Sequence, residues 1–376
     1  MASVTSPGPR LAVIVVVGLV VVALAVSVAG SDGGRPPRPS RAHSGAVRAQ
    51  PDFLIVSKRG WRTDFGRHTV PLVSFEPGGP PKDGIPAIDR PRFVPVAVAA
   101  RFLRPREPVI ELVIGSTARA YPLQIIVWHE IVNDVVAGTP VVVTYCPLCN
   151  TALAFVRRAA RRTLAFGATG NLRDFDLVMY DRQTESWWQQ FDGRALVGEL
   201  AGARLTPLAA TTVSWIEFAR AHPGGTVLSR ATGYQRPYGS NPYAGYDSNS
   251  TSDCGLLAVL GSAPGCAGGG PLHGIPLKER VVYVERDGQA LAIPFSSLRR
   301  VRRVHVTVGG EPLMVTWLPG VRSSFPAADD PAGHLVGSAR VRDALTGQPV
   351  PAATPFWFAV SVFRPGIRIW QPGPSS

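Results

Sequence analysis

The feature that most restricts the fold is that the chain resembles itself. Laying Val109–Pro147 over Val281–Pro319 without a gap aligns "VIELVIGSTARAYPL" with "VVYVERDGQALAIPF" and "VNDVVAGTPVVVTYCP" with "VHVTVGGEPLMVTWLP". Ala118, Ala120, Pro122, Gly138, Pro140, Thr144 and Pro147 recur in that register as Ala290, Ala292, Pro294, Gly310, Pro312, Thr316 and Pro319. A shorter echo sets "AATTVSWIEFARAHPGGTVL" (209–228) against "AATPFWFAVSVFRPGIRIW" (352–370). Turn residues and apolar runs kept in one register indicate a repeated supersecondary unit. The chain is therefore read as two related lobes from an internal duplication, 51–270 and 271–376.

Within each unit, alternating apolar residues around "IGST" or "RDGQ" predict a β-hairpin, followed by a short helical or irregular stretch at 122–133 and a turn into the strand "VVVTY". "ALAFVRR" and "RTLAFGA" predict two strands flanking an arginine-rich turn, and "VSWIEFARAH" a helix ending at "HPGG". The expected fold class is α+β, sheet-dominated, with a degenerate second lobe.

The alignment also serves as an internal control, because scaffold positions should persist in both units while chemistry need survive in only one. His129, Glu130, Cys146 and Cys149 face Val301, Arg302, Leu318 and Val321. "NLRDFDLVMYDRQTESWWQQ" (171–190) has no counterpart at all. A functional site therefore belongs to the first lobe.

Cys146 and Cys149 bracket Pro-Leu directly after a β-branched run. A Cys-x-x-Cys that opens a helix activates its first thiol for disulfide exchange, whereas one in a tight turn between strands aims both sulfurs at a cation. The β-like "ALAF" that follows favours the turn. The preferred reading is a metal centre with His129 as third ligand and Met179 as fourth, Asp181 and Glu185 being other candidates; such a soft donor set suits copper or zinc. A redox dithiol and a structural disulfide are the alternatives. Glu130, Asp181 and Glu185 are candidate acid–base groups, with Glu130 also a candidate for orienting the imidazole. Asp174 and Asp176 belong to the same acidic run, which in an arginine-rich chain is expected to be salt-bridged. Tyr180, Arg182, Tyr234 and Tyr243 are candidate ligand-pocket residues, the last two in the turn-rich "GYQRPYGSNPYAGY" (233–246). Asp83 or Asp89 can reach a site from an extended Pro/Gly segment. Trp187 and Trp188 read as core.

Leu11 to Gly30 carries no charge, and about 20 apolar residues match a bilayer's hydrocarbon thickness. Residues 1–30 are read as an uncleaved transmembrane anchor in preference to a signal peptide cut after "SVA", and 31–50 as a flexible linker. Either way the remainder lies outside the cytoplasm. There thiols tend to pair, so Cys254 and Cys266, in a glycine-rich loop, are expected to form a structural disulfide. The net charge of +13 comes almost wholly from arginine, lysine occurring only at Lys58, Lys82 and Lys278. The arginine clusters at 157–162 and 299–303 lack interleaved aromatics, which argues against a nucleic-acid partner. They suit solvated turns or membrane-proximal charge.

"GGPPKDGIPAID", "ARAYPLQIIVWHEIVND", "VTYCPLCNTALAF", "DLVMYDRQTESWW" and "TGYQRPYGSNPYAGY", in that order, resemble the signatures of the exported bacterial and archaeal domain-of-unknown-function family 3179. The resemblance covers roughly 70–370 and implies an extracytoplasmic protein but no reaction. Against the family pattern, Asn150 stands where glycine is usual, and the 254–266 loop is similar to a local insertion. The combined expectation is a membrane-anchored, extracytoplasmic metal-binding protein for metal handling or metal-dependent redox chemistry. A thiol–disulfide oxidoreductase using Cys146 and Cys149, and a non-enzymatic surface ligand-binding module, are the other two readings.

Overall fold

The computed structural model describes residues 56–248, 272–326, 330 and 332–372. The expected anchor and linker (1–50), Cys254 and Cys266 lie outside these residues. Among the described residues no helix is long and apolar enough to cross a membrane.

Strand accounts for 41% and helix for 11%, in small sheets set as a propeller-like ring of five blades. The first sheet orders Phe75–Pro77, Phe166–Arg173, Asp176–Asp181, Trp187–Gln189 and Ala195–Val197, all antiparallel. The second orders Thr206–Leu208, Thr151–Val156, Thr139–Cys146 and Ile131–Val136. The third runs Ala210–Ser214, Pro108–Ile114, Thr117–Pro122, Thr226–Leu228 and Phe93–Pro95, with Thr226–Leu228 parallel to Thr117–Pro122. The fourth comprises Val281–Arg286, Gln289–Pro294 and Arg368–Ile369, and the fifth Arg303–Val308, Glu311–Leu318 and Ser338–Asp343.

Local chemistry accounts for these elements. Thr139–Cys146 is central in its sheet and buried along nearly its whole length, which is why it reads as an unbroken β-branched run. The helix Trp215–Ala221 starts at Ser214, whose hydroxyl accepts from the Glu217 N–H while Glu217 reaches back, a complete capping box. The arginine-rich turn is a two-stranded ribbon, Arg158–Ala159 against Arg162–Thr163.

Elements of the two aligned stretches occupy aligned positions. Thr117–Pro122, Ile131–Val136 and Thr139–Cys146 correspond to Gln289–Pro294, Arg303–Val308 and Glu311–Leu318. In the shorter echo, Trp215–Ala221 and Thr226–Leu228 correspond to Trp357–Phe363 and Arg368–Ile369. The two expected lobes share a core: the largest cluster of buried side chains joins Tyr145, Cys146 and Cys149 to Val281, Phe356, Trp357 and Phe358.

Candidate functional site: a buried dithiol and carboxylate

Cys146 closes the strand Thr139–Cys146, and its register partner Thr151 opens the returning strand, so Pro147–Asn150 form the hairpin turn. This is the strand-turn-strand setting of a metal knuckle, not the start of a helix. Asn150 takes φ 55°, a left-handed conformation that asparagine tolerates better than most residues. Its amide donates to the Thr354 carbonyl at 2.9 Å, and its side-chain oxygen accepts from the Tyr145 hydroxyl at 3.3 Å. The Phe356 N–H donates to the Cys149 carbonyl at 2.9 Å. The turn is thus clamped by the C-terminal part of the chain.

Facing it is a second tight turn. Asp174 and Phe175, at φ 54° and 61°, link Phe166–Arg173 to Asp176–Asp181. Two positive φ values make this the mirror-image hairpin turn usually built from Asn-Gly or Asp-Gly. A phenylalanine there costs on the order of 1–2 kcal/mol. The turn aims the Phe175 carbonyl at the sulfurs: Cys149 Sγ donates to it at 3.1 Å, and Cys146 Sγ lies at 3.8 Å. The ring packs edge-on against Phe358.

Asp176 follows immediately. One carboxylate oxygen, Oδ2, accepts from Gln189 Nε2 at 2.7 Å and from the Phe191 N–H at 2.8 Å. The other, Oδ1, is buried with no N–H or O–H donor, and the carboxyl's remaining polar neighbour is the Cys149 thiol, which also donates to the Phe175 carbonyl. Ligand atoms of Cys146, Cys149 and Asp176 all lie within 4.8 Å of one another, and the two cysteines are free. All three residues are buried, at 2%, 0% and 0% exposure.

Glu130, 5% exposed and at φ 57°, directly precedes the strand Ile131–Val136. Among the described residues no Arg, Lys or His pairs with Asp176 or Glu130. Burial therefore dominates the electrostatics and favours the neutral forms. It lifts Asp176 to about 7 against hydrogen bonds from Gln189, Phe191 and Cys149. Burial, then the field of Asp176, lifts Glu130 to about 8, opposed by a hydrogen bond from Tyr243. Both thiols are raised, burial being the first cause in each case.

The third donor beside the sulfurs is Asp176, not the expected His129. The His129 imidazole is fully buried and spends both nitrogens elsewhere: Nδ1 lies 2.7 Å from the Pro86 carbonyl and Nε2 2.6 Å from the Tyr238 hydroxyl. A carbonyl can only accept, so Nδ1 carries the proton and Nε2 accepts from Tyr238. Met179 is buried in the core, paired with Ala168 and Trp188 across its sheet.

Asp181 ties its own turn together, accepting from the Thr184 N–H at 2.6 Å and from Trp188 Nε1 at 3.0 Å. Glu185 accepts from the Arg62 N–H at 2.7 Å and pairs with Lys82 at 3.0 Å. Tyr180 and Arg182 converge on Asp83, at 2.5 Å and 3.0 Å, and Arg182 also approaches Asp89 at 3.4 Å. Tyr234 is exposed beside the His129 ring, whereas Tyr243 reaches Glu130. Trp187 and Trp188 are fully buried.

Asp174 pairs with Arg173 at 3.0 Å as expected of the acidic run, but Asp176 does not. The available signal was its place: first residue of a strand after a two-residue turn, in the segment with no counterpart in the second unit. A cleft of about 490 Å3 is lined by Phe191, whose N–H binds Asp176, together with Phe155, Tyr283 and Glu285.

Fold and site together define a class: a ring of small sheets holding a buried dithiol–carboxylate cluster in its core. The chain belongs to the family described as protein of unknown function (DUF3179), whose match spans residues 82–367 and so takes in every residue of the cluster. No curated protein and no solved structure matches the chain.

Proposed function

We propose that this is an extracytoplasmic, membrane-anchored protein that binds a thiophilic metal ion through Cys146, Cys149 and Asp176. The observation that carries the reading is the fully buried Asp176 carboxyl, whose Oδ1 meets no N–H or O–H donor, in the same 4.8 Å group as two free thiols. A buried polar atom without a partner is costly, and a cation at that point would satisfy it together with both sulfurs. Two sulfurs and one carboxylate oxygen suit zinc or copper better than magnesium or calcium. Metal handling, or redox chemistry at a bound copper, is the corresponding activity. Export and anchoring rest on the apolar segment 11–30. The coincident element positions support descent of the two units by duplication, with the second unit supplying the clamp on the cysteine turn.

Elemental analysis of the purified full chain tests the reading. Stoichiometric zinc or copper that disappears in Cys146→Ser and Asp176→Asn but persists in His129→Gln is the expected result. Metal-free protein after reconstitution with either ion would refute it.

Disulfide exchange is the second reading, favoured by two adjacent free thiols next to a carboxyl group able to take a proton. It requires a reactive thiol. Alkylation of the folded, metal-free protein separates the two, since the buried, raised thiols should react no faster than a denatured control.

A further inference from the structure

The two aligned stretches differ on one face of their sheets. In the first, Ile131, Asn133, Val142 and Thr144 are all buried. The Asn133 side chain exchanges hydrogen bonds with the Phe166 N–H and carbonyl, both at 2.8 Å, so the strand Phe166–Arg173 closes that face. The residues aligned with these four are Arg303, His305, Met314 and Thr316 of the fifth sheet, and Arg303 and His305 are exposed. We propose that this open face is a docking surface for an anionic phospholipid bilayer, an inference that stands apart from the metal-centre reading.

Paired residues of neighbouring antiparallel strands share a face, so the register builds the surface in rows. Arg303 pairs with Thr316 and Thr316 with Arg340; His305 pairs with Met314 and Met314 with Arg342. Neither row contains an acid. Arg340 is taken up by Glu111, and Arg342 donates to the Gly347 carbonyl at 2.7 Å. Leading into Arg303, the helix Phe295–Val301 and the residue after it add Arg299, Arg300 and Arg302, all exposed. Among the described residues no acid pairs with Arg299, Arg300, Arg302 or Arg303. These four like charges crowd into the span 299–303 and repel one another, a cost that an anionic partner removes.

A face kept only for solubility would mix both signs and hide its apolar side chains. This one shows them. Val301, 40% exposed, lies between Arg300 and Arg302. Leu335, 47% exposed, shares a recess of about 190 Å3 with Arg299, Trp317 and Glu279, whose carboxylate accepts from the Ser296 N–H at 2.6 Å. Leu345, at 82% the most exposed large apolar side chain among the described residues, tips the turn that follows Ser338–Asp343. Asp343 Oδ1 fixes that turn, accepting from the Leu345 N–H at 2.9 Å, the Thr346 N–H at 2.6 Å and the Thr346 hydroxyl at 2.8 Å. Nothing in this device calls for a leucine. Arginines beside protruding aliphatic side chains fit a bilayer, whose headgroups take the charge and whose acyl boundary takes the leucine. A nucleic acid would gain nothing from Val301 or Leu345, and the two rows offer no Phe, Tyr or Trp on which a base could stack.

Arginine footprinting with phenylglyoxal, read by mass spectrometry, is the test. The full chain is mixed with vesicles of phosphatidylcholine alone or of phosphatidylcholine with phosphatidylglycerol. Each arginine at an anionic surface contributes about fivefold to partition. Arg300, Arg302 and Arg303 should therefore react at least ~10-fold more slowly on the anionic vesicles, whereas Arg220, exposed on the helix Trp215–Ala221, should react alike on both. High salt should abolish the difference, and Leu345→Ser should diminish it. Equal rates for the three arginines on both kinds of vesicle would overturn the inference, as would protection by a DNA duplex equal to that given by anionic vesicles. Flotation with neutral vesicles in high salt reads the apolar segment 11–30 separately. A chain that fails to float there, yet keeps these arginines protected on anionic vesicles, would remove the anchor and leave this surface standing.

Discussion

Acidification should remove stability at one imidazole in particular, that of His129. Burial, reinforced by the positive field of Arg236 and only partly offset by the Pro86 carbonyl, lowers its pKa from 6.5 to about 4. The unfolded chain therefore binds a proton between pH 6.5 and 4 that the native chain refuses. Stability is intact above pH 6.5 and falls as pH drops through this window, flattening below about 4. A shift of this size corresponds to about 3 kcal/mol at 1.36 kcal/mol per pKa unit. The ring is fully buried, so solvent screening removes little of it. Urea denaturation of wild type and His129→Gln, each at pH 7 and pH 4, isolates the effect, because groups common to both largely cancel in the difference. Wild type should lose about 3 kcal/mol more than the variant on acidification. Equal losses would refute the reasoning and show that the Tyr238 hydroxyl can reverse its hydrogen bond and accommodate the imidazolium.

Two substitutions probe the turns. Asn150→Ala removes a residue suited to φ 55° and its bond to the Thr354 carbonyl, and should cost about 2–3 kcal/mol in chemical denaturation; Asn150→Gly should cost less, because it retains the backbone freedom. Ala160→Gly, at an exposed ribbon position with φ 46°, should stabilise the protein by about 1 kcal/mol, read as a higher denaturation midpoint.

Much of the architecture was legible because its signals are local. Hairpins around Gly115 and Asp287, the strand after "AGTP", the ribbon between Val156 and Phe166, and the capped helix at Trp215 all follow from periodicity and turn residues. The common core of the two units was less accessible, since it depends on long-range packing of Phe356 and Phe358 against the cysteine turn. The site divided in the same way. The Cys146–Cys149 turn follows from its flanking strands, and the different residues at the aligned positions, Leu318 and Val321, pointed to the first stretch. Asp176 was hidden because a carboxylate's partners are not written in its neighbours: Asp174 found Arg173, whereas Asp176 turned inward. His129 misled for the converse reason, since proximity in sequence to a cysteine strand says nothing about which carbonyl its ring will meet.

The clamp on the cysteine turn also has a consequence for biogenesis. Thr354 and Phe356, which hold Asn150 and Cys149, come long after that turn in the chain, Thr354 by 204 positions, and so are synthesised well after it. The dithiol–carboxylate cluster therefore stays unclamped until the chain has been made at least as far as Phe356.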